Sequence, residues 1–137
     1  MAEAGGQPPQ QGAASEYAVA AGADLAVRAE QLGPNLVALQ VEGELDMLTS
    51  PTLADRVREH FAADGGALVV DMTRVSFLGS AGLAVLAEAA GLAAAHATEL
   101  RVIATTTAVL RPLEVTGLDE RVHTCDSMAT AIGQLMR

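Results

Sequence analysis

Glu42, Glu44 and Asp46 stand two residues apart, so on a strand all three share one face, and paired carboxylates can act as general acid and base. No sugar-binding aromatic and no nucleophile accompanies them in sequence, which makes a solvated acidic edge the simpler account. His60, His96 and His123 lie far apart, and none has a second ligand nearby at metal spacing. The single cysteine, Cys125, cannot form an internal disulfide and has no adjacent Lys or His to depress its pKa. With no Lys anywhere and no Gly-x-Gly-x-x-Gly, the chain lacks a phosphate-cradling loop of the nucleotide-binding kinds. The informative stretch is DMTRVSFLGSAGL at 71–83, where Ser80 stands at the mouth of a helix between Gly79 and Ala81-Gly82. Small neighbours leave its hydroxyl accessible and the first backbone N–H groups uncrowded. Such a Ser is a helix cap worth about 1 kcal/mol. A phosphate of about −1.5 to −2 charge at the same place is stabilised by unpaired N–H groups and the helix dipole, a compatible reading, although Ser caps are far commoner than switches.

The elements that must hold these residues alternate along the chain. Leu25, Val27 and Ala29, then the turn-forming Leu-Gly-Pro-Asn at 32–35, then Val37, Leu39 and Val41 read as a hairpin. Ser50 and Pro51 predict a helix start, with Ser50 as cap, and Leu53, Val57 and Phe61 form one face of that helix. The run 67–70 is short and continuously apolar, as in a strand covered on both faces, and is predicted to end at Asp71. A helix follows from Ser80 to near Thr98 with its stripe on Leu83, Leu86, Ala87, Ala90 and Ala94. Then come a strand over 100–104, a short helix over 109–115 and an edge strand over 122–125. The last helix opens at Asp126 or Ser127 and presents Met128, Ala131, Ile132, Leu135 and Met136 on one face. Strand, helix, strand in this order makes right-handed crossovers of a parallel sheet, hence an α/β fold.

Composition narrows the function. A chain of 137 residues is one ordinary domain rather than separate cofactor and substrate lobes. Seventeen acidic against eight basic residues give a net charge of −9, and only Tyr17, Phe61 and Phe77 are aromatic. Both features oppose nucleic-acid binding, which needs a basic field and stacking rings. The apolar stretch 81–97 is Ala-rich, is interrupted by Glu88 and His96, and falls short of the roughly 20 residues that cross a bilayer. No secretory signal pattern precedes it, so the reading is cytoplasmic, with no membrane insertion. Residues 1–23 carry hardly any periodic apolar signal and are expected to form a disordered tail.

The order of elements, with Gly-Glu-Leu-Asp at 43–46, Thr-Ser-Pro at 49–51, the 71–83 motif and Thr-Gly-Leu-Asp at 116–119, resembles the STAS domain family. Within it the likeness is to the bacterial anti-sigma factor antagonists, over about residues 24–137. The resemblance implies a single α/β domain with a mixed, mostly parallel sheet of about four to five strands and about four helices. It implies a binding protein rather than an enzyme, with no cofactor of its own. The implied partner is an anti-sigma factor of the serine-kinase ATPase type, which brings the ATP and magnesium. That partner phosphorylates a Ser at the head of this helix; the unphosphorylated antagonist binds it and releases the sigma factor, and a phosphatase would restore binding. By position Ser80 is the phosphoacceptor, and Asp46, Thr49, Ser50, Gly79, Ala81, Gly82 and Leu83 surround it in the partner-binding surface. Gly79 departs from the pattern, since switchable members carry Asp there. A constitutive STAS scaffold, or a subunit of a stress-signalling or lipid-transport assembly, is the alternative that this departure supports.

Overall fold

The computed structural model describes residues 15–19 and 24–136. Its elements are β1 (Ser15–Val19), β2 (Leu25–Gly33), β3 (Leu36–Leu45), α1 (Ser50–Ala62), β4 (Ala67–Leu78), α2 (Ser80–Ala95), β5 (Leu100–Ile103), α3 (Thr107–Val115), a 3-10 turn (Leu118–Glu120), β6 (Thr124–Cys125) and α4 (Met128–Leu135). The strands lie in one sheet in sequence order, β1-β2-β3-β4-β5-β6. From Leu25 onward there are five strands: β2 and β3 form the hairpin, joined across Pro34 and Asn35, and β3 to β6 run parallel.

β1 is a sixth strand, antiparallel to β2, and it falls inside the segment expected as a tail. An edge strand can form on backbone N–H and C=O pairing alone, which no apolar periodicity announces. The rest of that expected tail, 1–14 and 20–23, lies outside the described residues.

Strands added in order by right-handed crossovers put their helices on one face. Leu53, Val57 and Phe61 of α1, Leu86, Ala89 and Ala93 of α2, and Val109 and Leu113 of α3 accordingly share one core with Leu39, Val41, Leu68, Val70 and Met72 of the sheet. Arg58 of α1 forks onto Glu88 of α2, at 2.6 and 2.8 Å, and ties the two helices at the surface. α4 alone covers the other face, with Ala131 against Leu36, Ala38, Val69 and Ile103. Its expected stripe is shorter than read: Met128, Ile132 and Leu135 pack at the margin, whereas Met136 follows the last turn and is exposed. Ser127, one of the two predicted openers, caps this helix by accepting from the Thr130 N–H at 3.0 Å.

The larger correction concerns β4, which continues past Asp71 to Leu78. Its register against β3 slips twice, once between Gln40 and Glu42 and once between Gly43 and Glu44, each slip adding a residue to β4. Two bulges therefore turn the period of two into a period of three, and the buried residues fall at Met72, Val75 and Leu78. This extension carries the strand directly into the Ser80 helix.

Candidate functional site

The carboxyl ends of β3 and β4 lie side by side, with Leu45 opposite Leu78, and the chain leaves each into a helix. The Gly79 N–H donates to the Leu45 carbonyl at 2.9 Å, so the start of α2 is fastened to the end of β3. α2 must also come close, because a Cβ at Gly82 would stand 2.7 Å from Leu78 Cδ1 and 2.9 Å from Leu45 Cβ. Glycine is the residue that allows this approach.

The loop from β3 to α1 is built on Asp46. Its Oδ1 accepts the backbone N–H of Leu48 and of Thr49, both at 2.9 Å. The Thr49 hydroxyl donates to the Glu44 carbonyl at 2.6 Å and accepts the Asp46 N–H at 3.0 Å. The bonds to the carboxylate, the Thr49 N–H first and the Thr49 hydroxyl at 3.1 Å and the Leu48 N–H after it, hold the Asp46 carboxyl below its ordinary range. The predicted Ser50 cap is corrected here. Thr49 occupies the cap position, with no side-chain cap bond, because its hydroxyl is spent on β3. Ser50 is the first helical residue, with its hydroxyl buried and unbonded.

Ser80 is likewise one residue inside its helix rather than capping it. Gly79 holds the cap position, extended, and no side chain caps α2. Ser80 is exposed, and its hydroxyl makes no hydrogen bond among the described residues. The first turn of α2 thus offers a reachable hydroxyl beside backbone N–H groups that no side chain engages, which favours negative charge at that place.

The fold brings Asp46, Thr49, Ser50 and residues 79–83 to one end of the sheet, where β3 and β4 end side by side. Of these, Ser80 is exposed, Asp46, Gly79, Ala81 and Leu83 are half-buried, and Thr49 (5% exposed), Ser50 (2%) and Gly82 are buried. Sequence reasoning missed three others. Met47 is 81% exposed, Leu48 89% and Phe77 50%, and the Phe77 ring lies over Gly79, where a Cβ would meet its Cε2 at 3.0 Å. The available signal was that Met47 and Leu48 fit no stripe of the helix that follows them.

The acidic triplet does not converge. Gly43 sits at φ +121° in the bulged region, and a Cβ there would stand 2.1 Å from the Asp24 carbonyl oxygen. Of the three carboxylates only Glu42 lines the groove of about 610 Å³ on the sheet face that α4 leaves open, among Arg28, Gln40, Asp71, Thr73 and Arg74. Asp46 is committed to its turn. His60 lies 2.8 Å from the Gly66 carbonyl through Nε2, and His96 lies 3.6 Å from Asp64. Among the described residues no three His, Cys, Asp or Glu side chains gather to hold a metal, and no helix is long and apolar enough to cross a membrane. Burial pushes the Cys125 thiol up from its ordinary pKa.

Comparison with known proteins follows the same outline. The STAS domain family model matches residues 27–131. The anti-sigma-F factor antagonist RsfB of Mycobacterium tuberculosis is 32% identical over 94 residues, which are 69% of this chain and 76% of that protein. The crystal structure of an anti-sigma factor antagonist from Mycobacterium paratuberculosis superposes with a TM-score of 0.72 at 29% identity, covering 87% of this chain and all of the other. The crystal structure of a Thermotoga maritima protein gives 0.73 at 18% identity over 78% of this chain and 92% of the other, a likeness of fold alone. From the hairpin through the Ser80 helix to the last helix, the sheet order, the crossovers and the matched span agree, and the chain belongs to the STAS domain family.

Proposed function

We propose that this chain is a cytoplasmic anti-sigma factor antagonist that binds an ATPase-type anti-sigma factor, frees the sigma factor and is switched off by phosphorylation of Ser80. The observation that carries the reading is Ser80 itself, an exposed and unbonded hydroxyl on the uncapped first turn of α2, one residue past the Gly79 over which the Phe77 ring lies. The names of the two mycobacterial relatives support an anti-sigma factor as the partner, and its ATPase type is what the family resemblance implies. The surface works by contact, and the partner supplies kinase chemistry, ATP and magnesium. A phosphate on Ser80 has the α2 N–H groups to stabilise it in the unbound protein. In the complex the same charge must be stripped of water against an apolar contact, and that difference is what releases the partner. A phosphatase resets the switch.

The test is affinity capture from the native cell's lysate with wild-type and Ser80→Glu baits, reading retained proteins by mass spectrometry. An ATPase of the anti-sigma type held by the wild type and lost by Ser80→Glu is the expected result. A second reading, a constitutively bound STAS subunit of a stress-signalling or lipid-transport assembly, is favoured by Gly79, which stands directly before Ser80 where the resemblance expects Asp. It predicts the same proteins on both baits and no phosphate on Ser80 in cells.

A further inference from the structure

Single exposed apolar side chains are ordinary on protein surfaces, whereas neighbours fixed together at a loop tip mark a contact. Met47 and Leu48 are the two most exposed large apolar side chains among the described residues. Neither joins the face that α1 buries through Leu53, Val57 and Phe61. Their backbone is nonetheless pinned from both sides, by the Asp46 carboxylate on the N–H of Leu48 and Thr49 and by the Thr49 hydroxyl on the Glu44 carbonyl. An apolar tip held this way does not have to order itself on binding, which removes part of the entropic cost of association. The strands beneath extend it: Glu44 lies opposite Phe77 in register, so the half-exposed ring comes up beside the loop. Carboxylates border the tip at Glu44, which is exposed, and at Asp46, in a chain whose net charge is −9.

Building on the antagonist reading, we infer that Met47 and Leu48 are the anchor by which this chain selects its anti-sigma factor. They seat in an apolar pocket of the partner whose rim carries Arg or Lys facing Glu44. Apolar anchors in a desolvated centre supply most of the affinity, and opposed charges at the rim govern approach and partner choice. Ser80 follows Gly79, against which the Phe77 ring lies, so a phosphate there has to be stripped of water beside an apolar side chain of the contact.

The experiment titrates the full chain, by calorimetry and stopped flow, against the host cell's purified ATPase-type anti-sigma factors, one at a time. Met47→Gln and Leu48→Gln should each weaken binding about tenfold or more, as central anchors do. Met136→Gln, an equally polar change at an exposed site past α4, should leave affinity unchanged. Glu44→Gln should slow association and flatten its salt dependence with little effect on dissociation. Thermal melts of the Met47 and Leu48 variants should coincide with the wild type, since neither side chain is buried. Wild-type affinity in both glutamine variants, with binding still lost in Ser80→Glu, would overturn the anchor and leave the antagonist reading standing. If the wild type binds none of the factors, both fall.

Discussion

Replacing Gly82 and Gly91 by alanine makes the same chemical change in the same helix, and the structure assigns the two opposite signs. At Gly82 the new Cβ would lie 2.7 Å from Leu78 Cδ1 and 2.9 Å from Leu45 Cβ, against the roughly 3.5–4.0 Å of ordinary carbon contacts. Both leucines are buried, and Leu86, Ala89 and Ala93 hold the rest of α2 on the sheet, so neither the neighbours nor the helix can yield cheaply. Overpacking of this kind costs about 1–3 kcal/mol. The reduced freedom of the unfolded chain returns about 0.4–1 kcal/mol, so the net loss is about 1–2 kcal/mol. At Gly91 nothing lies within 4 Å of the added methyl, so only the gain remains. For a domain of this size each kcal/mol moves the melting temperature by roughly 3–6 °C, which puts Gly82→Ala about 3–12 °C below the wild type and Gly91→Ala a few degrees above it. Thermal and urea unfolding followed by circular dichroism measure both. If Gly82→Ala melts at or above the wild-type temperature, α2 does not rest on β3 and β4 as described, and the placement of Ser80 goes with it.

Two further outcomes can be read on the same instruments. Burial pushes His60 below its ordinary pKa of 6.5, with the Gly66 carbonyl partly opposing the shift. His60 therefore takes up a proton more readily when unfolded, so its contribution to stability is complete above pH 6.5 and declines as the pH falls through 6.5 towards the lowered folded value. Urea midpoints at pH 7.5 and 5.5 should drop for the wild type and drop less for His60→Gln; parallel drops would refute this. Thr49→Val keeps shape and removes the hydroxyl, leaving the Glu44 carbonyl and the Asp46 N–H without their partner. The buried site should lose about 1–3 kcal/mol, seen as a lower urea midpoint, and the Met47-Leu48 tip should lose partner affinity through a looser loop, seen by calorimetry.

What could be read from residue order depended on whether a residue's environment comes from its neighbours in sequence or from elsewhere in the fold. The apolar face of α1 at Leu53, Val57 and Phe61 and the hairpin alternation of Leu25, Val27, Leu39 and Val41 follow a local period, so both were legible. Ser80 was legible for the same reason, since a Ser between Gly79 and Ala81-Gly82 at the start of an apolar run needs no distant contact to be exposed. The second half of β4 was not, because its period was reset by bulges that exist only against β3. The helix cap failed similarly. Thr49 and Ser50 are adjacent hydroxyl residues before Pro51, and locally Ser50 is the better placed; the Glu44 carbonyl claims the Thr49 hydroxyl instead, which fixes the Asp46 turn and sends Met47 and Leu48 outward. Met47 and Leu48 were illegible in a further sense: an apolar residue counts as core in a periodicity argument and counts as nothing when it breaks the period. Only a fold that leaves such residues in water, on a backbone held still, turns that failure of pattern into a statement about a partner.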